Sequence, residues 1–143
     1  MASVQAFYQV VHRLRRAKTF ADWAIVGDLP AGPRQAAFDW APYANVFLVL
    51  VEPTCKSILT ARRIARIARS RTDVAALPVA TKVGGRADRV LIERRLGEPL
   101  FGAVPADDAV RDAERAGRAV IDRAPASPAV RAVERLVDML ERR

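Results

Sequence analysis

Ala44–Val51 (ANVFLVLV) narrows the folds open to this chain more than any other segment. It is a continuous apolar run, stopped by Glu52-Pro53. A strand without polar alternation has to be covered on both faces, which is the situation of a parallel strand flanked by helices. Its core, Val46–Val51, is far too short to cross a bilayer. The cover has to come from the rest of the chain. With 51% hydrophobic and 28% charged among 143 residues, there is enough apolar material for one domain, and global disorder is excluded.

The apolar period switches repeatedly along the chain. Val4–Arg16 carries Phe7, Val10, Val11 and Leu14 at helical spacing, and Asp22–Asp28 reads as a short strand ended by Pro30, Gly32 and Pro33. After Ala44–Val51 comes a helix over Ser57–Ser70, with Ile58, Ala61, Ala65 and Ala68 on one face and Arg62, Arg66 and Arg69 on another. Val74–Lys82 is a further strand, weakened by Pro78, which removes a ladder donor. A helix over Ala87–Leu96, a strand over Leu100–Val104 and a helix over Asp107–Ala116 with Gly117 beyond it follow. Ser127-Pro128 opens a last helix, whose apolar stripe is Val130, Val133, Val137 and Leu140. This alternation predicts one α/β domain over residues 1–143 with a mostly parallel sheet.

The net charge of +8 is concentrated rather than spread. Lys56–Arg71 holds Lys56, Arg62, Arg63, Arg66, Arg69 and Arg71 and no acid. Two readings stand. One is a face that grips nucleic-acid phosphates. The other is a solvated helix side in a chain whose 24 basic residues are nearly all Arg, as coding bias alone produces. The single cysteine, Cys55, forms no internal disulfide, and the single histidine, His12, leaves little for zinc or for a nucleophile-histidine pair. Without an apolar leader at the start of the sequence, a cytoplasmic location is expected. Membrane attachment through the last helix is disfavoured by Glu134, Asp138 and Glu141 among its arginines.

In an open parallel sheet, chemistry gathers where strands run out into loops on one edge. Three such loops stand out: Gly27–Gly32, Thr81–Gly85 and Gly102–Asp107. In the first, Asp28 ends an apolar stretch and suits a hydrated magnesium ion, while Gly32 brings a bare backbone N–H near an anionic oxygen. An ordinary Pro-Ala-Gly turn with Asp28 accepting backbone hydrogen bonds fits the same residues. The other two loops clasp a ligand edge with backbone groups or simply join strand to helix. No stretch of these residues reads GxGxxG or GxxxxGK[ST].

Taken in order, AIVGDLPAG, YANVFLVLVEPT, a helix, LPVATKV, LFGAVPADDAV, a break at Gly117 and SPAVRAVERL resemble the C-terminal two-thirds of the MinD/ParA-type P-loop ATPases. Among these they are most similar to the CooC-type accessory ATPases of carbon monoxide dehydrogenase maturation. The resemblance runs from about Asp22 to Leu140 and implies ATP and magnesium as ligands. It implies that Asp28 is the Walker B aspartate, holding a water on magnesium rather than ligating the metal, and that Gly32 belongs to switch II, its N–H approaching the γ-phosphate. Thr81-Lys82 takes the place of the Asn-Lys pair beside the purine base. Pro105 and Asp107 match the loop that closes over that base.

Two departures shape the expectation. Thr81 offers one hydroxyl where the family has a carboxamide, which bears on base preference. The family's first strand and its Gly-rich, two-lysine Walker A loop precede the matching region and are expected to be missing, as is the Cys-x-Cys of the CooC-type branch. The domain is then an incomplete P-loop ATPase, whether truncated, split or degenerate. Its two apolar stretches Ala24–Asp28 and Ala44–Val51 would pair with each other, recruit another chain or stay exposed. Hydrolysis would need the N-terminal segment, and that segment or a second copy would be the partner. The alternative is a non-catalytic module that binds nucleic acid through Arg62, Arg66 and Arg69.

Overall fold

In a computed structural model of the chain, the described residues are 2–20, 23–29, 32, 44–70 and 74–143. The elements are α1 (Ala2–Arg16), a 3₁₀ turn (Lys18–Phe20), β1 (Val46–Val51), α2 (Cys55–Arg69), β2 (Ala75–Val83), α3 (Arg86–Leu96), β3 (Gly102–Pro105), α4 (Asp108–Arg115), α5 (Val120–Arg123) and α6 (Pro128–Glu141). They fall into two units, Met1–Phe47 with Arg63–Ala76, and Leu48–Arg62 with Leu77–Arg143.

The second unit holds most of an α/β sheet in the order β1-β2-β3. β2 and β3 run parallel, with Val79 opposite Gly102, Ala80 opposite Ala103 and Thr81 opposite Val104. Val83 then stands opposite Pro105, so Lys82 is an extra residue on β2. Pro78 lies just before the first of these pairs. Its carbonyl accepts from the Phe101 N–H at 2.8 Å, and its missing donor falls where β3 has not yet begun. The strand therefore runs through the proline.

Buried apolar residues come from every layer of this unit: Val49, Val51, Ile58, Ala61, Val79, Ala80, Val83, Ile92 and Leu136 among them. α2 buries the Ile58 and Ala61 face that its period predicts, and starts two residues earlier than the spacing indicates. Thr54 Oγ1 accepts the Ser57 N–H at 3.2 Å and so closes the first turn. At α6 the Ser127 hydroxyl accepts from the Val130 N–H at 3.3 Å, and Pro128 follows at the first helical position.

Two expectations about burial are corrected here. Among the described residues β1 is covered unequally: Val49 and Val51 are buried, while Leu48 is exposed and Leu50 is 63% exposed. The apolar run is continuous in composition, but a strand still turns alternate side chains to opposite faces. The predicted stripe of α6 is also rotated. Ala129, Val130, Ala132 and Leu136 are buried, whereas Val133 and Val137 are exposed. α6 packs on β3, and the absent side chain at Gly102 lets Leu136 come close, so the small alanines turn inward with it.

In the first unit, α1 covers the predicted Val4–Arg16 and starts two residues earlier, with Val11 buried but Phe7 and Val10 exposed. The Ala75 N–H donates to the Asn45 carbonyl at 3.0 Å, joining the starts of β1 and β2. Ala65 and Ala68 of α2 are buried as predicted. The strand predicted over Asp22–Asp28 is not formed: residues 23–29 take no regular secondary structure, and Val26 is 92% exposed. A strand exists through its ladder, and among the described residues the sheet contains only β1, β2 and β3. Asp22 itself, with Pro30, Ala31 and Pro33, lies outside the described residues.

Candidate functional site

The three strands of the second unit deliver Glu52, Lys82 and Pro105 to the carboxyl ends of β1, β2 and β3. That edge is where open parallel sheets bind ligands. Thr81, Lys82, Pro105 and Asp107 all lie on it, Thr81 in the ladder opposite Val104 and Asp107 as the residue that starts α4.

Lys82 has φ +54°, and among the described residues it is the sole non-glycine with positive φ. The extra residue of the bulge forces this conformation, which an L side chain adopts at a cost. Its ammonium donates to Glu52 Oε1 at 2.7 Å. That hydrogen bond, with the carboxylate's charge, raises the Lys82 pKa above the ordinary lysine value. Glu52 is itself pinned. Its N–H donates to Ser57 Oγ at 2.9 Å, and its carbonyl accepts the Thr54 N–H at 2.7 Å. The start of α2 thus holds the backbone of the residue whose carboxylate meets Lys82.

Asp107 is an extended residue whose carboxylate serves two helices. One oxygen accepts the Ala109 N–H at 3.0 Å in α4, and the other accepts the Ala129 N–H at 2.9 Å in α6. The Ala129 hydrogen bond is the main reason its pKa lies below the ordinary aspartate value; burial opposes it, and Ala109 and the Ser127 hydroxyl add to the lowering. Both oxygens therefore already act in tying the loop together. In the neighbouring loop the Gly84 N–H donates to Asp88 Oδ2 at 2.7 Å.

Asp28 and Gly32 belong to the first unit. The Asp28 side chain is exposed, and Gly32 has φ +110°, a conformation that suits glycine and few other residues. Lys56, Arg62, Arg63, Arg66 and Arg69 are all exposed on α2, with no acid in the helix. Among the described residues, no three His, Cys, Asp or Glu side chains gather as a metal site, and no helix is long and apolar enough to cross a membrane.

Sequence reasoning missed Glu52, which it treated only as the end of a strand. The signal was a carboxylate at one strand end and a lysine at the next. It becomes meaningful only once the two strands are known to be neighbours.

No family model matches the chain, and no curated protein matches it. Solved structures do. The cell division ATPase MinD of Pyrococcus furiosus superposes with a TM-score of 0.66 at 20% identity, covering 80% of this chain and 50% of that one. The fold is MinD-like. The ParA family ATPase of Chlorobium tepidum gives 0.57 at 18% identity over 71% of this chain and 43% of that one. The MinD cell division protein of Aquifex aeolicus gives 0.55 at 21% identity over 73% and 46%. The chain thus spans about half the length of these proteins. The α/β architecture with its parallel sheet, expected from the sequence, is the architecture they share.

Proposed function

We propose that these residues form the switch and base-side portion of a MinD/ParA-like ATP-binding protein of the cytoplasm, CooC-type within that group, built as one incomplete P-loop domain. The observation that carries the reading is the edge itself. In a MinD-like fold, Lys82 and the Pro105–Asp107 loop emerge side by side from adjacent parallel strands. Thr81 and Lys82 flank a purine base, with Thr81 giving a looser choice of base than a carboxamide would. Pro105 closes the loop over the base, and Asp107 holds that loop in shape. Asp28 offers an oxygen to a magnesium-bound water, and the Gly32 N–H faces the terminal phosphate.

The donor set fits magnesium only as a companion of the triphosphate. Asp28 is one exposed carboxylate, and magnesium prefers one or two carboxylates together with phosphate oxygens and waters. Bound there, the ion would neutralise phosphate charge. Hydrolysis needs a phosphate cradle with its lysines, which none of the 143 residues provides. Another segment or a second chain has to supply it.

The test is nucleotide affinity and turnover for these residues alone, for the same residues joined to a Walker A segment of a MinD-like protein, and for that joined form carrying Asp28→Ala. The residues alone give no turnover. The joined form binds in a magnesium-dependent way and loses turnover, but not all binding, with Asp28→Ala. Robust hydrolysis by the 143 residues alone, or a joined form indifferent to Asp28, refutes the reading.

A second reading rests on α2, which carries five exposed cations and no acidic residue in its own sequence. Here the helix grips nucleic-acid phosphates. Duplex DNA affinity then falls steeply with salt, and replacing Arg62, Arg66 and Arg69 by Ala flattens the slope. An unchanged slope reduces the face to a solvated surface.

A further inference from the structure

We infer that Glu52 is a positioning residue of the base-binding edge, acting by holding Lys82 so that its methylene stem forms a ledge for a purine nucleoside. The inference rests on the nucleotide reading above and adds to it the residue Glu52.

Two observations meet at this pair. The first is conformational. Lys82 is the extra residue of a bulge and sits at φ +54°, where a lysine is disfavoured. Such outliers persist where surrounding structure imposes them, and they cluster at ligand sites. The second is electrostatic. The Lys82 and Glu52 side chains are 71% and 39% exposed, so their 2.7 Å ion pair contributes little to folding. A pair of negligible stabilising value has nonetheless been given a rigid support: the Ser57 hydroxyl and the Thr54 N–H lock the Glu52 backbone on both sides.

The consequence lies in what the pair leaves open. The ammonium is anchored and its charge is balanced, so the position has little to offer a phosphate. The Lys82 side chain, four methylenes included, is 71% exposed as a whole. An apolar stem whose tip is engaged by Glu52 suits the flat face of a neutral heterocycle. The preference is therefore for the nucleoside part of a nucleotide, with phosphates held elsewhere.

The experiment uses the full chain and three probes: adenosine, ATP and inorganic tripolyphosphate, followed by the backbone amide signals in NMR titrations. Wild-type protein should show adenosine-dependent shifts at residues 81–85 and 106–108, and none there with tripolyphosphate. Glu52→Ala should weaken adenosine and ATP about two- to five-fold, the range set by exposed ion pairs. Glu52→Gln keeps an acceptor for the ammonium and should fall between. Tripolyphosphate should bind no more weakly in either variant, because losing the Glu52 charge frees the Lys82 ammonium, and urea midpoints should stay together. Adenosine binding at this edge with wild-type strength in Glu52→Ala overturns the positioning role alone. Equal weakening of adenosine and tripolyphosphate shows a merely structural residue and also overturns it. No adenosine response at residues 81–85 or 106–108 in the wild-type chain overturns the nucleotide reading, and this inference with it.

Discussion

Gly102 is the position at which a single methyl group tests the packing of α6 on the sheet. A Cβ there would lie well inside contact distance of Leu136 Cδ2 and 3.4 Å from its Cγ. Leu136 is buried, so it has little room to retreat. Overpacking of this kind costs about 1–3 kcal/mol, and a clash with a terminal methyl rather than with backbone falls in the lower half of that range. Against it stands the gain from restricting the unfolded chain, about 0.4–1 kcal/mol for Gly→Ala where the backbone allows alanine. Gly102 has no positive φ, so that gain applies. The steric cost is larger, and Gly102→Ala should destabilise by about 1 kcal/mol. Leu136→Ala removes the obstructing atoms and should cost about 2–5 kcal/mol by itself. In the double variant the new methyl has no clash and fills part of the cavity. The double should therefore fall short of the sum of the singles by about 1 kcal/mol or more. Urea denaturation of all four proteins, compared at constant m-value, reads the cycle. Additivity within about 0.5 kcal/mol, or a Gly102→Ala variant more stable than wild type, would refute the packing account.

Other predictions concern the supports of the same unit. Ile92 is fully buried, and Ile92→Ala should cost about 2–5 kcal/mol in urea denaturation. Thr54→Ala removes the side-chain acceptor for the Ser57 N–H and should cost about 0.5–2 kcal/mol, most visibly as loss of amide protection in the first turn of α2. Asp107 has a folded-state pKa below its unfolded one, so its contribution is complete above the unfolded pKa and is lost as pH falls through the folded value. Asp107→Asn should therefore shallow the acid side of the stability–pH curve while leaving its shape above the ordinary aspartate range unchanged; an unaltered acid limb would contradict the two-helix tie.

The features legible in the sequence were those set by local periodicity. The Ile58, Ala61, Ala65 and Ala68 face of α2 follows from a 3.6-residue repeat, and the structure buries all four. The cap at Ser127 and the stop at Gly117, which has φ +62°, also depend on neighbours in sequence. What could not be read was set by partners far along the chain. Residues 23–29 have a strand's composition, but a ladder needs a second strand. The α6 stripe was misplaced because Gly102, far from Leu136 in sequence, determines how closely that helix approaches. Lys82 was chosen by resemblance, yet neither its bulge nor its bond to Glu52 follows from the residues around it. Asp107 was marked as a ligand-loop residue, while its link to Ala129 depends on where α6 comes to rest.

The bulge at Lys82 also bears on how such an edge is gained or erased in descent. Losing the single codon for Lys82 would set Thr81 and Val83 next to each other, opposite the already adjacent Val104 and Pro105. The ladder would become more regular and the left-handed residue would vanish, while Glu52 would keep its held backbone but lose the ammonium its carboxylate meets. A shortened homologue of that kind would fold at least as readily and give no outward sign of damage. In comparing descendants of this chain, the spacing between the apolar run of β2 and the glycine pair that follows it is thus the more telling character, since one residue fewer there separates an edge that carries the Lys82–Glu52 pair from a merely well-formed sheet.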